Sequence, residues 1–147
     1  GKMMKYISYA QKEAAKAADE GEVTVGCIII KDVKVIAASH NTVENSNDAT
    51  CHAEINAIKA ACEKTGEKTL ADCEMYVTLE PCPMCAGAVI SAKIKRIYIG
   101  TQEPKSGCFG SVCDFSVMKF NHKPEVYIGI NEDECSQVLK NFFKNKR

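Results

Sequence analysis

The residues of this chain best suited to chemistry are His52, Glu54, Cys82 and Cys85, set in Cys51-His-Ala-Glu54 and Pro81-Cys-Pro-Met-Cys85. Imidazole nitrogen and thiolate sulfur are the donors zinc takes most readily, in a four-coordinate tetrahedron. Three protein donors, His52, Cys82 and Cys85, leave one corner for water, as in a catalytic rather than a structural zinc. Activated water must lose protons, and Glu54 is a carboxylate the metal does not need. His52 opens a run with apolar residues at Ala53, Ile55, Ala57, Ile58, Ala61 and Cys62, the spacing of a helix. At about 3.6 residues per turn, Glu54 lies about 200° around that helix from His52. It is therefore placed to line an adjoining pocket rather than to ligate the same ion. Other readings share these residues: a redox Cys-x-x-Cys pair, half of a zinc knuckle, or a structural site with Cys51 as fourth ligand. Adjacent side chains diverge at a helix start, which weighs against Cys51.

The elements that must position these groups follow from pattern. Glu74 to Leu79 alternates and is rich in β-formers, so it reads as a strand, and Ala86 to Ala92 reads as helix. Pro81 then falls near the first helical position, where its missing N–H is not needed. Cys82 and Cys85, three apart, share one face of that first turn, where free N–H groups and the helix dipole favour thiolate. Two helix N-termini thus aim three ligands at one point.

Around this centre the sequence predicts a helix over 3–20 with apolar residues at Met4, Ile7, Ala10, Ala14 and Ala17 or Ala18, ended by Gly21. A hairpin over 23–30 and 33–38 turns around Lys31-Asp32, and both runs are β-branched. A polar loop, 40–50, leads into the His52 helix, which Gly66 closes. Strand 73–79, helix 82–93 and strand 95–99 follow. An irregular stretch, 101–123, carries a short helix near Asp114 to Met118, then strand 125–130 and helix 133–145. This order predicts an α/β fold, a mixed five-stranded sheet with helices on both faces. Crossovers through helices imply parallel later strands, with the ligands at strand C-terminal ends.

Length and composition suit one domain, 1–147, at 46% hydrophobic content, with Gly1-Lys2 ahead of Met3 read as a cloning remnant. No apolar stretch is long enough to span a membrane, and no signal-peptide pattern opens the chain. Nine scattered cysteines then read as reduced thiols in a cytoplasmic protein. The 19 basic and 19 acidic residues cancel, so no global field attracts nucleic acid. Charge is uneven locally: Lys140, Lys144, Lys146 and Arg147 close a helix that begins at Glu132-Asp-Glu134. That pattern is either dipole complementarity or a phosphate-binding edge.

From Gly21 onward the chain resembles the bacterial tRNA adenosine deaminase family. The resemblance rests on Val25-Gly26, His40-Asn41, Cys51-His-Ala-Glu54, Tyr76 to Ala88, Phe120-Asn-His122 and Phe142-Phe143. The histidine-x-glutamate and Pro-Cys-x-x-Cys pair is the signature of zinc-dependent nucleobase deaminases. The resemblance implies a three-layer α/β/α cytidine deaminase-like fold and one Zn2+ per subunit on His52, Cys82 and Cys85. It implies a homodimer without membrane association, converting adenosine to inosine in a tRNA anticodon stem-loop. Glu54 would move protons and the Cys82 N–H would steady developing charge. Asn41, Glu103, Lys105, Asn121 and Phe142 would meet the substrate. Asn41 also reads as a turn asparagine, Asn121 as a loop cap and Phe142 as a core aromatic. The chain departs from the family at Glu103, where Asp is usual, at Thr24 for Pro, and at Thr42-Val43, where a basic residue is common. It also lacks tryptophan. These departures leave a second expectation, deamination of a free nucleobase or nucleoside such as guanine or cytosine. A third is a zinc-stabilised binding module without turnover.

Overall fold

Apolar residues recurring three and four apart place Tyr6, Ile7, Ala10, Ala14 and Ala17 on the buried stripe of α1 (Lys2–Asp19). The helix is the first element of a computed structural model that describes residues 1–146; Arg147 of the basic tail lies outside the described residues. Met4 is 50% exposed, and Tyr6 takes its place on the stripe, its hydroxyl donating to the Val33 carbonyl at 3.1 Å.

The hairpin is β1 (Gly26–Lys31) and β2 (Lys34–His40). The ladder begins later than expected because Val25 N–H donates to Val23 O at 2.8 Å, closing a tight turn. At Gly26 a Cβ would lie 1.9 Å from the Ala10 carbonyl oxygen, so glycine lets α1 press directly on the strand. Asp32 and Val33 both adopt positive φ, 50° and 59°, the conformation of a two-residue primed turn. The reversal is therefore one residue beyond the Lys31-Asp32 expected.

β1 joins β3 (Glu74–Leu79) antiparallel, while β4 (Arg96–Thr101) and β5 (Glu125–Ile128) add in parallel, giving a five-stranded sheet in the order β2-β1-β3-β4-β5. Alternate side chains feed two cores. Ile28, Ile30 and Tyr76 meet α1 and Cys135 of α5 (Glu132–Asn145). Cys27, Ile29, Met75, Val77, Ile97 and Ile99 meet α3 (Ala53–Thr65) and α4 (Pro83–Ser91). This is a three-layer α/β/α arrangement. Gly66 closes α3 in the left-handed conformation, φ 72°, as its position after the helix predicts.

Two local expectations fail. No helix forms at Asp114–Met118. Asp114 instead accepts from Ser116 N–H at 2.9 Å and Ser116 Oγ at 2.5 Å, the side-chain competition that draws Asp and Ser out of helices. The 40–50 loop, expected to be irregular, holds a short helix α2 (Val43–Ser46). The buried Glu22 carboxylate accepts the N–H groups of Glu44 and Asn45, at 3.0 and 2.7 Å. Among the described residues no helix is long and apolar enough to cross a membrane.

Candidate active site

The C-terminal ends of β3 and β4, the start of β1 and the N-termini of α3 and α4 meet at one end of the strands. His52 is the N-cap of α3, and its carbonyl accepts Asn56 N–H at 3.0 Å. Cys82 is the N-cap of α4, and its carbonyl accepts Ala86 N–H at 2.8 Å. Pro83, not Pro81, occupies the first helical position. Cys85 follows in the same turn and is fully buried.

His52 Nδ1 lies 3.6 Å from both Cys82 Sγ and Cys85 Sγ, and the three donor atoms fall within 4.8 Å of one another. With zinc–nitrogen and zinc–sulfur bonds of about 2.05 and 2.3 Å, a tetrahedron has nitrogen–sulfur edges of about 3.6 Å. The donor set therefore fits zinc in identity and in spacing. The Cys82 thiol is held low, to about 4, first by the Cys85 thiol that donates to it and then by His52, against the opposing effect of burial. Cys85 is driven upward by giving its proton to Cys82 and by burial; a cation among the sulfurs would draw both to thiolate. The pair with Cys82 raises His52 against its burial.

Glu54, only 4% exposed, lines a cavity of about 170 Å³ that also exposes Asn41, His52, Cys82, Glu103 and Ser106 between apolar walls of Val25 and Leu79. Burial pushes its carboxyl up to about 7, with its own N–H and His52 pulling the other way. That is the range in which a group both accepts and returns a proton near neutrality. Asn41 Oδ1 accepts Val43 N–H at 3.2 Å, so the turn role and the cavity position coexist in one residue.

The other substrate candidates separate. Glu103 lines the cavity, its Oε1 accepting Lys105 N–H at 3.0 Å, whereas Lys105 itself is exposed outside the cavity lining. Asn121 is exposed in the segment that His122 ties to Ile94 O at 2.6 Å. Ile94 precedes β4, so Asn121 lies near the N-terminal ends of the parallel strands, away from the cavity at their C-terminal ends. Phe142 faces Ala15, Ala18, Thr24 and Val138 in a cleft between α1 and α5. Its neighbour Phe143, 53% exposed, lies with Lys140 and Lys144 in a groove that shares Leu79 and Glu103 with the cavity. Helix phase decides this, since neighbours on a helix point about 100° apart.

Of the departures noted in the sequence, only Glu103 reaches the cavity. Thr24 is buried and bonds Val138 O at 3.4 Å. Thr42 Oγ1 accepts from Asn56 Nδ2 at 3.0 Å and from Ser46 Oγ at 3.1 Å. Sequence reasoning gave no role to Glu80, Asn56 or Glu22. Asn56 Nδ2 also reaches His40 O at 2.9 Å, fixing the segment that presents Asn41. Glu80 offered one signal, a carboxylate between an apolar strand and a ligand cysteine; Glu22 offered none, because its partners are distant in sequence.

The MafB19-like deaminase family model matches residues 2–147. A tRNA-specific adenosine deaminase of Agrobacterium fabrum is 43% identical over 143 residues, 97% of this chain and 94% of that protein. A protein of the same name from Bacillus subtilis is 40% identical over 143 residues, 97% of this chain and 89% of that one. A solved structure from biochemical and structural studies of A-to-I editing by tRNA:A34 deaminases superposes with a TM-score of 0.86. It is 44% identical, over 90% of this chain and 96% of that chain.

Proposed function

From the premise that this chain belongs to the MafB19-like deaminase family, among the tRNA-specific adenosine deaminases, we propose that it hydrolyses adenosine to inosine at the wobble position of a tRNA anticodon. The observation that carries the reading is the spacing of His52, Cys82 and Cys85 beside a buried Glu54. In this reading the chain is one domain that works in the cytoplasm as a homodimer on an anticodon stem-loop, with one zinc per subunit.

His52, Cys82 and Cys85 would hold the zinc, which when bound would supply a Lewis acid able to lower the pKa of water to about 7. Glu54 does the proton work. As water attacks C6 of the flipped-out adenine, its carboxylate takes a proton and delivers it to N1. It then carries the second proton to the departing amine, so that water and adenosine leave as inosine and ammonia. The Cys82 N–H, at the start of α4, faces the charge that develops at C6. Asn41 offers its amide to the purine edge, while Val25 and Leu79 bound the base and exclude water. Phe143, Lys140 and Lys144 extend the site to a neighbouring base and its phosphates.

The test is turnover of an anticodon stem-loop bearing a wobble adenosine, read as inosine, beside a panel of free bases and nucleosides. Inosine from the stem-loop alone is expected, formed at least about a hundredfold more slowly by Glu54→Ala. Ammonia from a free base or nucleoside, with none from the stem-loop, would reject the RNA substrate and keep the zinc chemistry.

A further inference from the structure

Glu80 follows β3 directly, lies two residues before the ligand Cys82 and lines the same cavity, yet it is 2% exposed and its carboxylate bonds a loop rather than the metal cluster. Among the described residues no cationic side chain pairs with it. Its charge is met instead by four donors of a single loop. Oε1 accepts Glu103 N–H at 3.0 Å and Ser111 Oγ at 2.5 Å. Oε2 accepts Phe109 N–H at 2.9 Å and Ser111 N–H at 3.1 Å. A carboxylate buried without these donors would be expensive, so the loop cannot leave it at small cost.

The loop closes around the carboxylate closely enough to exclude a side chain. A Cβ on Gly107 would come within 2.2 Å of the Glu80 carboxyl carbon. Glu103 and Ser106, carried by the same loop, form one wall of the cavity. The chain of contacts continues outward, because Glu103 Oε1 in turn accepts Lys105 N–H at 3.0 Å. One buried side chain therefore fixes the wall that faces the substrate relative to the strand end that carries the metal ligand.

We infer that Glu80 is a positioning residue, which holds the 103–111 loop in the register that grips the substrate nucleotide and leaves the chemistry at Glu54 unchanged. The inference rests on the RNA-deaminase reading for its substrate. Glu80→Gln is the informative change. Whichever amide orientation Gln adopts, its NH2 replaces an oxygen that accepts a backbone N–H, from Glu103 on one side or from Phe109 and Ser111 on the other. Volume is kept, and the loop is released from one side.

The experiment measures kcat and KM on the wobble-adenosine stem-loop, zinc content, and amide hydrogen exchange across residues 103–111, for wild type and Glu80→Gln. The expected result is faster exchange in the loop and a KM raised about tenfold or more, with kcat within about threefold and zinc retained. Ser111→Ala, which deletes one donor and keeps the backbone, should shift KM in the same direction by less, and it carries the test if Glu80→Gln does not fold. A fall confined to kcat, loss of zinc, or faster exchange with KM unchanged would overturn the inference. If wild type makes no inosine, the substrate reading falls instead. Unchanged loop exchange in Glu80→Gln would then still refute the positioning role, and accelerated exchange would support it.

Discussion

The cavity has two walls built on different principles. The metal wall consists of His52 and Cys82, with Cys85 buried behind them, all at or within the first turn of a helix, so their directions follow from local geometry. The opposite wall, Glu103 and Ser106, belongs to a loop without regular structure, held by a carboxylate more than twenty residues earlier. The first wall can be read from short motifs. The second exists only once the sheet has formed, because β3 and β4 must pair before Glu80 can reach Glu103. The difference separates the reaction from its substrate: chemistry is local, and recognition is tertiary.

Breaking the metal wall should have the largest effect. Cys82→Ala is expected to lose zinc, reduce turnover to background and lower the melting temperature by roughly 10 °C, because metal-binding energy is partly folding energy. Metal analysis and thermal unfolding would check it, and full zinc occupancy would contradict the ligand assignment. Glu54→Ala should lower kcat by between about 10²- and 10⁴-fold while zinc and fold persist. That contrast distinguishes the proton carrier from the ligands beside it.

The recognition side is sharpened by two adjacent aromatics. Phe143→Ala should raise KM for the stem-loop roughly tenfold by removing a stacking surface. Phe142→Ala should instead lower stability by about 1–2 kcal/mol, as loss of a half-buried ring between α1 and α5, with KM unchanged. Equal KM effects would show that the groove beside Glu103 is not where RNA runs.

The smallest effect concerns the segment carrying Asn41. His40 Nδ1 and Nε2 lie 3.0 Å from Glu13 and Glu20. Burial lowers the His40 pKa, but the two carboxylates outweigh it and raise the value above 6.5. Burial raises Glu13, yet His40 and Lys16 bring it below 4.5. The His40 contribution is therefore complete below pH 6.5 and lost as pH rises through its raised folded value. The Glu13 contribution is complete above pH 4.5 and lost as pH falls through its depressed one. The cluster should stabilise most between these limits, by at most about 1 kcal/mol. The stability difference between wild type and His40→Asn should shrink as the solution is made alkaline; a difference that grows would reverse the sign.

What was legible in the sequence follows the same division. The apolar runs of β1 and β3, the helix starts at His52 and Cys82, and Gly66 as a stop all depend on neighbours in the chain. Parallel pairing of β3 and β4 followed from the α4 crossover between them, whereas β4 and β5 pair in parallel through a connection without the helix expected there. The α2 turn was hidden because its cap comes from Glu22, and the missing helix at Asp114 because Ser116 diverts its side chain. Phe142 and Phe143 are indistinguishable as letters, and only the phase of α5 tells which one lies in the groove beside the cavity.

Placing every reacting group at one end of the strands makes scaffold and specificity separable parts. The loop between β4 and β5 can change length or sequence as long as Glu80 finds its donors and Gly107 keeps its close approach. New substrates are therefore to be sought by grafting that loop and leaving the sheet untouched, with the Glu80 socket as the anchor that any replacement must fit.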